Sequence, residues 1–189
     1  TEYSFLAHFQ KSQKAFFRKH HTFLKRKSRN FMTPKSILPQ NEAILRNRFP
    51  LVLQRIIEIG NRMPQDFFYE DDENGSTLMI LRGEFSFPAY GKFKKENLNK
   101  RWFSSLVLHP ESLYAVTGFG DGSHLTHFLE NSTSGTNFLA AEKDPALLRE
   151  TLARFDLTKL LSNERFILGT GNIDDAFFAD IQGAALSGV

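Results

Sequence analysis

Residues Gly118 to Gly122 constrain the fold more than any other part of this sequence. This Gly-Phe-Gly-Asp-Gly run follows an apolar stretch, Leu113 to Thr117, and precedes a helical pattern from Ser123 to Glu130. Because glycine accepts positive φ, such a run can turn the chain sharply from a strand into a helix. A second apolar stretch ends at Glu142, near the spacing of about 20 residues at which nucleotide-binding units place an acid. The sequence therefore predicts the opening of a Rossmann-like unit.

The same residues predict a cofactor site. Glycines let a phosphate, ribose or carboxylate approach the backbone, and the N-terminus of a helix presents unpaired amides to an anion. A carboxylate at the tip of the second strand can accept hydrogen bonds from ribose hydroxyls. The predicted cofactor-binding residues are Gly118, Gly120, Gly122 and Glu142. Tight packing of a strand against a helix is the alternative reason for glycine here.

Pattern and composition divide the chain into three segments. Residues 1–40 form a basic aromatic helical arm and connector, residues 41–110 a helix and a β-hairpin, and residues 111–189 a βαβαβα unit that looks truncated at its C-terminus. The expected class is α/β, with a partial parallel sheet preceded by an α-helical region and a small hairpin. Right-handed crossovers place the helices of the last segment on one face of its sheet. Either the N-terminal helices or a following segment of a larger protein covers the other face.

Apolar periodicity and turn residues give the elements of the middle segment. A helix is predicted from Asn41 to Gly60, in which Pro50 either starts a new helix or bends this one. Thr77 to Phe87 reads as strand with a turn at Gly83. Lys92 to Arg101 reads as a surface loop and Phe103 to Leu108 as a further strand. In the last segment we expect a third strand over Arg165 to Leu168 and a third helix over Ile173 to Ala185.

Charge is concentrated at the N-terminus. Residues 1–29 carry eight Lys or Arg and one acid, a net +7, whereas the remainder of the chain is −4. A stripe of phenylalanines runs through the same segment, which is typical of an amphipathic helix. Such an arm fits a membrane surface, nucleic acid or another subunit, but docking on the domain's own core is favoured. The small overall charge makes nucleic acid an unlikely partner.

Composition excludes several classes of protein. The chain has no cysteine, which rules out disulfides and cysteine-ligated metals. It has no run of 18 apolar residues and no apolar signal core at the N-terminus, so we expect no membrane span and a cytoplasmic location.

From Asn41 to Ile181 the sequence resembles a known family. The motifs are Gly118 to Leu125, a strand ending at Glu142, Asp144-Pro145 opening a helix, and Asp156-Leu157 followed by the segment 160–165. This series resembles the N-terminal Rossmann-like segment of the motility-associated factor (Maf) glycosyltransferases. The resemblance implies transfer of a nonulosonic sugar from its CMP-activated form to Ser or Thr of flagellin.

The resemblance also implies that this chain is not the catalytic part. In that family the catalytic domain follows and is introduced by a motif of the Gly-Pro-Ser type, which is absent from these 189 residues. No catalytic residue can therefore be assigned. The expected partner is a downstream catalytic domain or another protein, flagellin among them.

Two alternatives remain open. The glycine turn with Glu142 also resembles S-adenosylmethionine-dependent methyltransferases, although Val116 and Thr117 stand where those enzymes usually place an acid. A nicotinamide site fits less well, because Ser123 stands where its third glycine is expected. The second alternative is a non-catalytic interaction module built on the aromatic arm.

Other candidate sites are weaker. His124 and His127 are three residues apart on a predicted helix, but the sequence places no third metal ligand beside them. The acidic run Glu70 to Glu73 lacks the alternating spacing of a calcium loop, so a solvated loop is favoured. The Gly-x-Ser-x-Gly motif of a hydrolase is not found. We expect no metal site.

Overall fold

The structure is a computed structural model that describes residues 38–73, 75–90 and 94–171. All of these belong to one compact unit, Lys35–Val189, while a second unit, Thr1–Pro34, lies outside the described residues. The predictions for the aromatic arm and for a helix over Ile173 to Ala185 also fall outside them. The proposed division of the chain at residues 40 and 110 stays a prediction.

The described residues form six helices and six strands. In chain order they are α1 (Pro39–Arg48), α2 (Pro50–Glu58), β1 (Phe67–Asp72), β2 (Gly75–Arg82), β3 (Phe85–Pro88), α3 (Lys95–Ser104), β4 (Leu113–Thr117), α4 (Ser123–Asn131), β5 (Asn137–Glu142), α5 (Pro145–Arg154), α6 (Thr158–Leu161) and β6 (Phe166–Thr170). No helix in this part of the chain is long and apolar enough to cross a membrane.

The second half of the chain forms a three-stranded parallel sheet in the order β4-β5-β6. Ala115 pairs with Leu139, and Leu139 pairs with Ile167, so the three strands are in continuous register. Helix α4 connects the first pair, and α5 and α6 connect the second. The predicted α/β class with a partial parallel sheet is confirmed.

The main core lies on one face of this sheet. Phe138 and Phe166 point into it, and the rings of Phe128 and Phe138 stack with centroids 4.1 Å apart. Leu139, on the opposite face, belongs to a separate small cluster with Ala141 and Ile167. Each large side chain that is fully buried in this core stabilises the fold by roughly 2 kcal/mol.

Helices α1 and α2 pack into this same main core, against α5, α6 and β6. The predicted helix from Asn41 to Gly60 is in fact two helices, because Pro50 starts a new one after Phe49. Asn41 is fully buried: its side-chain amide donates to the carbonyls of Leu152 and Phe155, and its oxygen accepts from the Leu157 amide. One side chain therefore fixes α1 to the C-terminal end of α5.

Two arginines from these helices bind the outer edge of β6. Arg48 donates to the carbonyls of Asn163, at 2.8 Å, and of Phe166, and Arg55 donates to the carbonyl of Thr170. An edge strand whose backbone groups are covered by another element is protected from pairing with a further strand. The β6 edge of the sheet is closed in this way.

The first half contributes an antiparallel sheet in the order β1-β2-β3. The predicted hairpin with its turn at Gly83 is confirmed as β2 and β3, in which Ile80 pairs with Phe87. A third strand, β1, was not expected. It includes Glu70, Asp71 and Asp72, so three of the four residues predicted to form an acidic loop are in a strand, although Asp71 is exposed to solvent as predicted.

The segment between the two sheets also differs from expectation. Of the surface loop predicted for Lys92 to Arg101, the part from Lys95 onward is helix α3, which also takes in the first two residues of the strand predicted from Phe103 to Leu108. Residues 91–93 lie outside the described residues. The rest of the segment that was predicted as this strand has no regular secondary structure. Trp102 explains the difference, since its ring packs against Phe128 and Phe138, and this burial stabilises the helix despite its polar composition.

Candidate functional site

The glycine loop, Gly118–Gly122, connects β4 to α4, as the sequence predicted. All three glycines have positive φ, +94° at Gly118, +55° at Gly120 and +77° at Gly122. Gly118 has no neighbour within 4 Å of an added Cβ, whereas a Cβ at Gly122 would lie 3.0 Å from Leu157 and 3.2 Å from Phe119. Backbone geometry therefore requires glycine at all three positions, and packing requires it again at Gly122.

Glu142 lies at the end of β5 and points into this loop. One carboxylate oxygen accepts from the Phe119 amide at 2.9 Å, and the other accepts from the Asp144 amide at 3.0 Å. Only 6% of the residue is exposed. Burial raises the pKa of Glu142, although the amides of Phe119, Asp144 and Gly120 favour its ionised form. The carboxylate thus binds the Phe119 amide of the glycine loop, and the amides of such a loop are the groups that would face an anionic ligand in a nucleotide site.

Two tyrosines cover Gly120. The Tyr69 hydroxyl, from β1, donates to the Gly120 carbonyl at 3.2 Å and lies 2.7 Å from the Thr151 hydroxyl, which donates to the same carbonyl at 2.8 Å. The Tyr90 hydroxyl would lie 3.5 Å from a Cβ at Gly120. Burial raises the pKa of both phenols, so they remain protonated donors at neutral pH. The antiparallel sheet and the segment after it therefore lie against the loop.

Asp121 is the second buried carboxylate of the loop. It accepts from Tyr90 at 2.6 Å and from the Ser123 amide at 3.0 Å, and its other oxygen lies 2.5 Å from the Lys95 ammonium. Burial works to raise the pKa of Asp121. Hydrogen bonds from Lys95, Tyr90 and Ser123 outweigh that effect and hold the pKa below its usual range. Asp121 is therefore ionised at neutral pH.

A groove of about 480 Å³ begins at this cluster. One wall is formed by α3, the other by α4, and the floor by residues 155–157 at the end of α5. Charged side chains in its lining are Lys95, Glu96, Lys100, Asp121, Glu130 and Asp156. Acids outnumber lysines here, so the groove as a whole does not favour an anion.

The two histidines of α4 pack against aromatic rings. The His124 ring lies edge-on to Trp102, with centroids 5.3 Å apart, and the His127 ring lies edge-on to Phe103 at 5.6 Å. Burial lowers the pKa of His124, which favours the neutral ring. Among residues 38–73, 75–90 and 94–171, no group of three or more possible metal ligands is found.

The four predicted cofactor-binding residues are thus brought together at one turn, and their role in binding a cofactor stays a prediction. Sequence reasoning missed Tyr69, Tyr90, Lys95 and Thr151, which come from β1, from the turn after β3, from α3 and from α5. Nothing local in the sequence marks these residues. The hydrogen-bond partners of Tyr69, Tyr90 and Thr151 are 31 to 82 positions away in the chain. For Lys95 the polar composition of its segment predicts a surface loop instead.

Comparison with known proteins finds a distant structural similarity. The sequence matches no family model and no curated protein. A solved structure titled MAf glycosyltransferase from Magnetospirillum magneticum AMB-1 is similar, with 14% identity and a TM-score of 0.44. The match covers 76% of this chain and 28% of that protein. A similarity of this size does not establish an activity, and the chain spans less than a third of the other protein's length.

Proposed function

We propose that this chain is a non-catalytic accessory domain of a Maf-like glycosyltransferase, in which the glycine loop joins structural elements instead of binding a nucleotide. The observation that supports this most directly is the Glu142 carboxylate, which accepts from Phe119 and Asp144 within the buried turn. A ribose needs that carboxylate as a free acceptor. Here it already has partners and is almost entirely buried.

The cover over the loop supports the same role. A cofactor approaching Gly120 would have to displace the hydroxyls of Tyr69 and Tyr90, each of which has its own hydrogen-bonded partner. Breaking these bonds without replacing them costs about 1–3 kcal/mol for each buried group left unpaired. The two tyrosine hydroxyls that cover the loop therefore have hydrogen-bond partners without a ligand.

The family part of the proposal rests on the motif series from Gly118 to Arg165 that resembles Maf proteins. On this proposal the catalytic domain that transfers a CMP-activated nonulosonic sugar to flagellin is a separate domain of the parent protein. The coding sequence beyond Val189 tests it: a Gly-Pro-Ser type motif there supports the family, and its absence counts against it.

Calorimetric titration tests the loop. We expect no binding when CMP, S-adenosylmethionine or NAD is titrated into the wild-type chain at millimolar concentration. Binding tighter than about 0.1 mM that is lost in Glu142→Gln but kept in Glu130→Gln would show a cofactor site at the loop. Glu130 is a suitable control because it lies exposed on α4, away from the glycine turn. S-adenosylmethionine binding of this kind would favour the methyltransferase alternative.

A further inference from the structure

Asp121 occupies a set of donors that is suited to an anion from outside the chain. Lys95, Tyr90 and the Ser123 amide converge on its carboxylate from three separate parts of the fold, at distances of 2.5 to 3.0 Å. A lysine, a hydroxyl and a backbone amide at the first turn of a helix are common ligands of phosphate and carboxylate groups. The Asp121 side chain is 2% exposed, so it fills this position completely.

The position is reachable from solvent through the groove. Lys95 and Ser123 line the groove together with Asp121, and 39% of the Lys95 side chain is exposed. The groove is large enough for a phosphate group. A neutral donor also reaches this end of it, because Asn99 bonds the Ser123 hydroxyl at 3.1 Å.

We propose that Lys95, Tyr90 and the Ser123 amide form an anion-binding pocket, that Asp121 is its built-in occupant, and that a phosphate-type anion enters from the groove when this carboxylate is removed. Asp121 acts as an intramolecular competitor, which keeps the native groove from binding phosphorylated ligands. The other acids of the groove, Glu96, Glu130 and Asp156, reinforce this exclusion by charge repulsion. The inference goes beyond the accessory role and does not depend on it.

The geometry distinguishes this pocket from the Glu142 site a few residues away. At Glu142 the donors are backbone amides alone, and burial prevails, so the pKa of that carboxyl is raised. At Asp121 a lysine is added, and the donors prevail over burial. The pocket around Asp121 is therefore the one of the two that stabilises a negative charge.

Thermal unfolding of the whole chain with inorganic phosphate tests the proposal. We compare wild type, Asp121→Ala and the control Asp156→Ala, which removes a groove acid that bonds Thr158 instead of Lys95. Sodium chloride at matched ionic strength is the reference for nonspecific salt effects. Phosphate at about a hundredfold its Kd should raise the Tm of Asp121→Ala by roughly 5–10 °C, in a saturable way. Wild type and Asp156→Ala should not respond beyond the salt reference.

A second variant identifies the donors. Adding Lys95→Met to Asp121→Ala should abolish the phosphate response. Equal responses in Asp121→Ala and wild type, or a response that survives Lys95→Met, would overturn the proposal. If Asp121→Ala does not fold, we use Asp121→Asn and also refold the variants with and without phosphate. Folding that depends on phosphate supports the pocket. Failure to fold both with and without phosphate overturns it.

Discussion

The Glu142 carboxylate accepts a hydrogen bond from the Phe119 amide at 2.9 Å, which ties the end of β5 to the turn that leaves β4. The other oxygen of Glu142 holds the Asp144 amide, at the start of α5. One buried side chain thus links two consecutive strand-to-helix connections. Hydrogen bonds within the protein therefore hold the glycine turn to the end of β5 and to the start of α5.

The raised pKa of Glu142 predicts a pH-dependent effect on stability. A carboxyl group whose pKa is higher in the folded than in the unfolded state stabilises the fold most below the unfolded pKa, about 4.3, and loses that contribution as the pH rises through the folded pKa. The free energy of unfolding of wild type minus that of Glu142→Gln should therefore fall as the pH rises above about 4.3. Urea unfolding across this range measures it. A difference that rises with pH would contradict the assignment.

The lowered pKa of Asp121 predicts the opposite pH dependence. Its contribution to stability is present above the unfolded pKa, about 3.9, and is lost as the pH falls through the folded pKa. Lys95→Met should destabilise the chain by about 2 kcal/mol at neutral pH, and this effect should shrink below about pH 4. Lys100→Met, in the same groove, is the matched control in urea unfolding. The idea fails if both variants lose the same stability at neutral pH.

Alanine at two positions of the glycine loop should separate backbone strain from crowding. Gly118→Ala puts a side chain at φ +94° in open space and should cost about 1–2 kcal/mol. Gly122→Ala adds a contact of 3.0 Å with Leu157 and should cost a further 1–3 kcal/mol or so. Chemical denaturation measures the free energy of unfolding of each variant and so ranks the two losses. Equal losses would mean that the Leu157 side chain moves away without cost.

Replacement of Asn41 should be among the more damaging polar changes. Asn41→Ala leaves the carbonyls of Leu152 and Phe155 and the Leu157 amide without their buried partner, at a cost of about 3 kcal/mol. Asn131→Ala, at the exposed end of α4, is the control and should lie within about 0.5 kcal/mol of wild type. Thermal unfolding compares them, and similar Tm values for the two variants would show that α1 is not held by this side chain.

The parts of the fold that sequence predicted well are those with strong local signals. The strand, glycine turn and helix from Leu113 to Glu130 were recognised because apolar runs and glycines act on the backbone where they stand. The capping of α5 by Asp144, which accepts from the Ala146 amide, is local in the same sense. Helix α3 was missed because its stability comes from Trp102, whose partners lie far along the chain.

The sequence by itself determined the glycine turn, the acid at the end of the next strand and the order of strands and helices from β4 to β6, since positive φ, capping and apolar periodicity are properties of neighbouring residues. Tertiary structure decided which distant side chains contact that turn. Three side chains reach the turn from elsewhere in the fold: Lys95 from α3, Tyr90 from the segment after β3, and Tyr69 from β1. A contact between residues far apart in the chain depends on packing that no local sequence pattern encodes. The physical reason is that a buried carboxylate takes whichever donors the fold brings within hydrogen-bond distance.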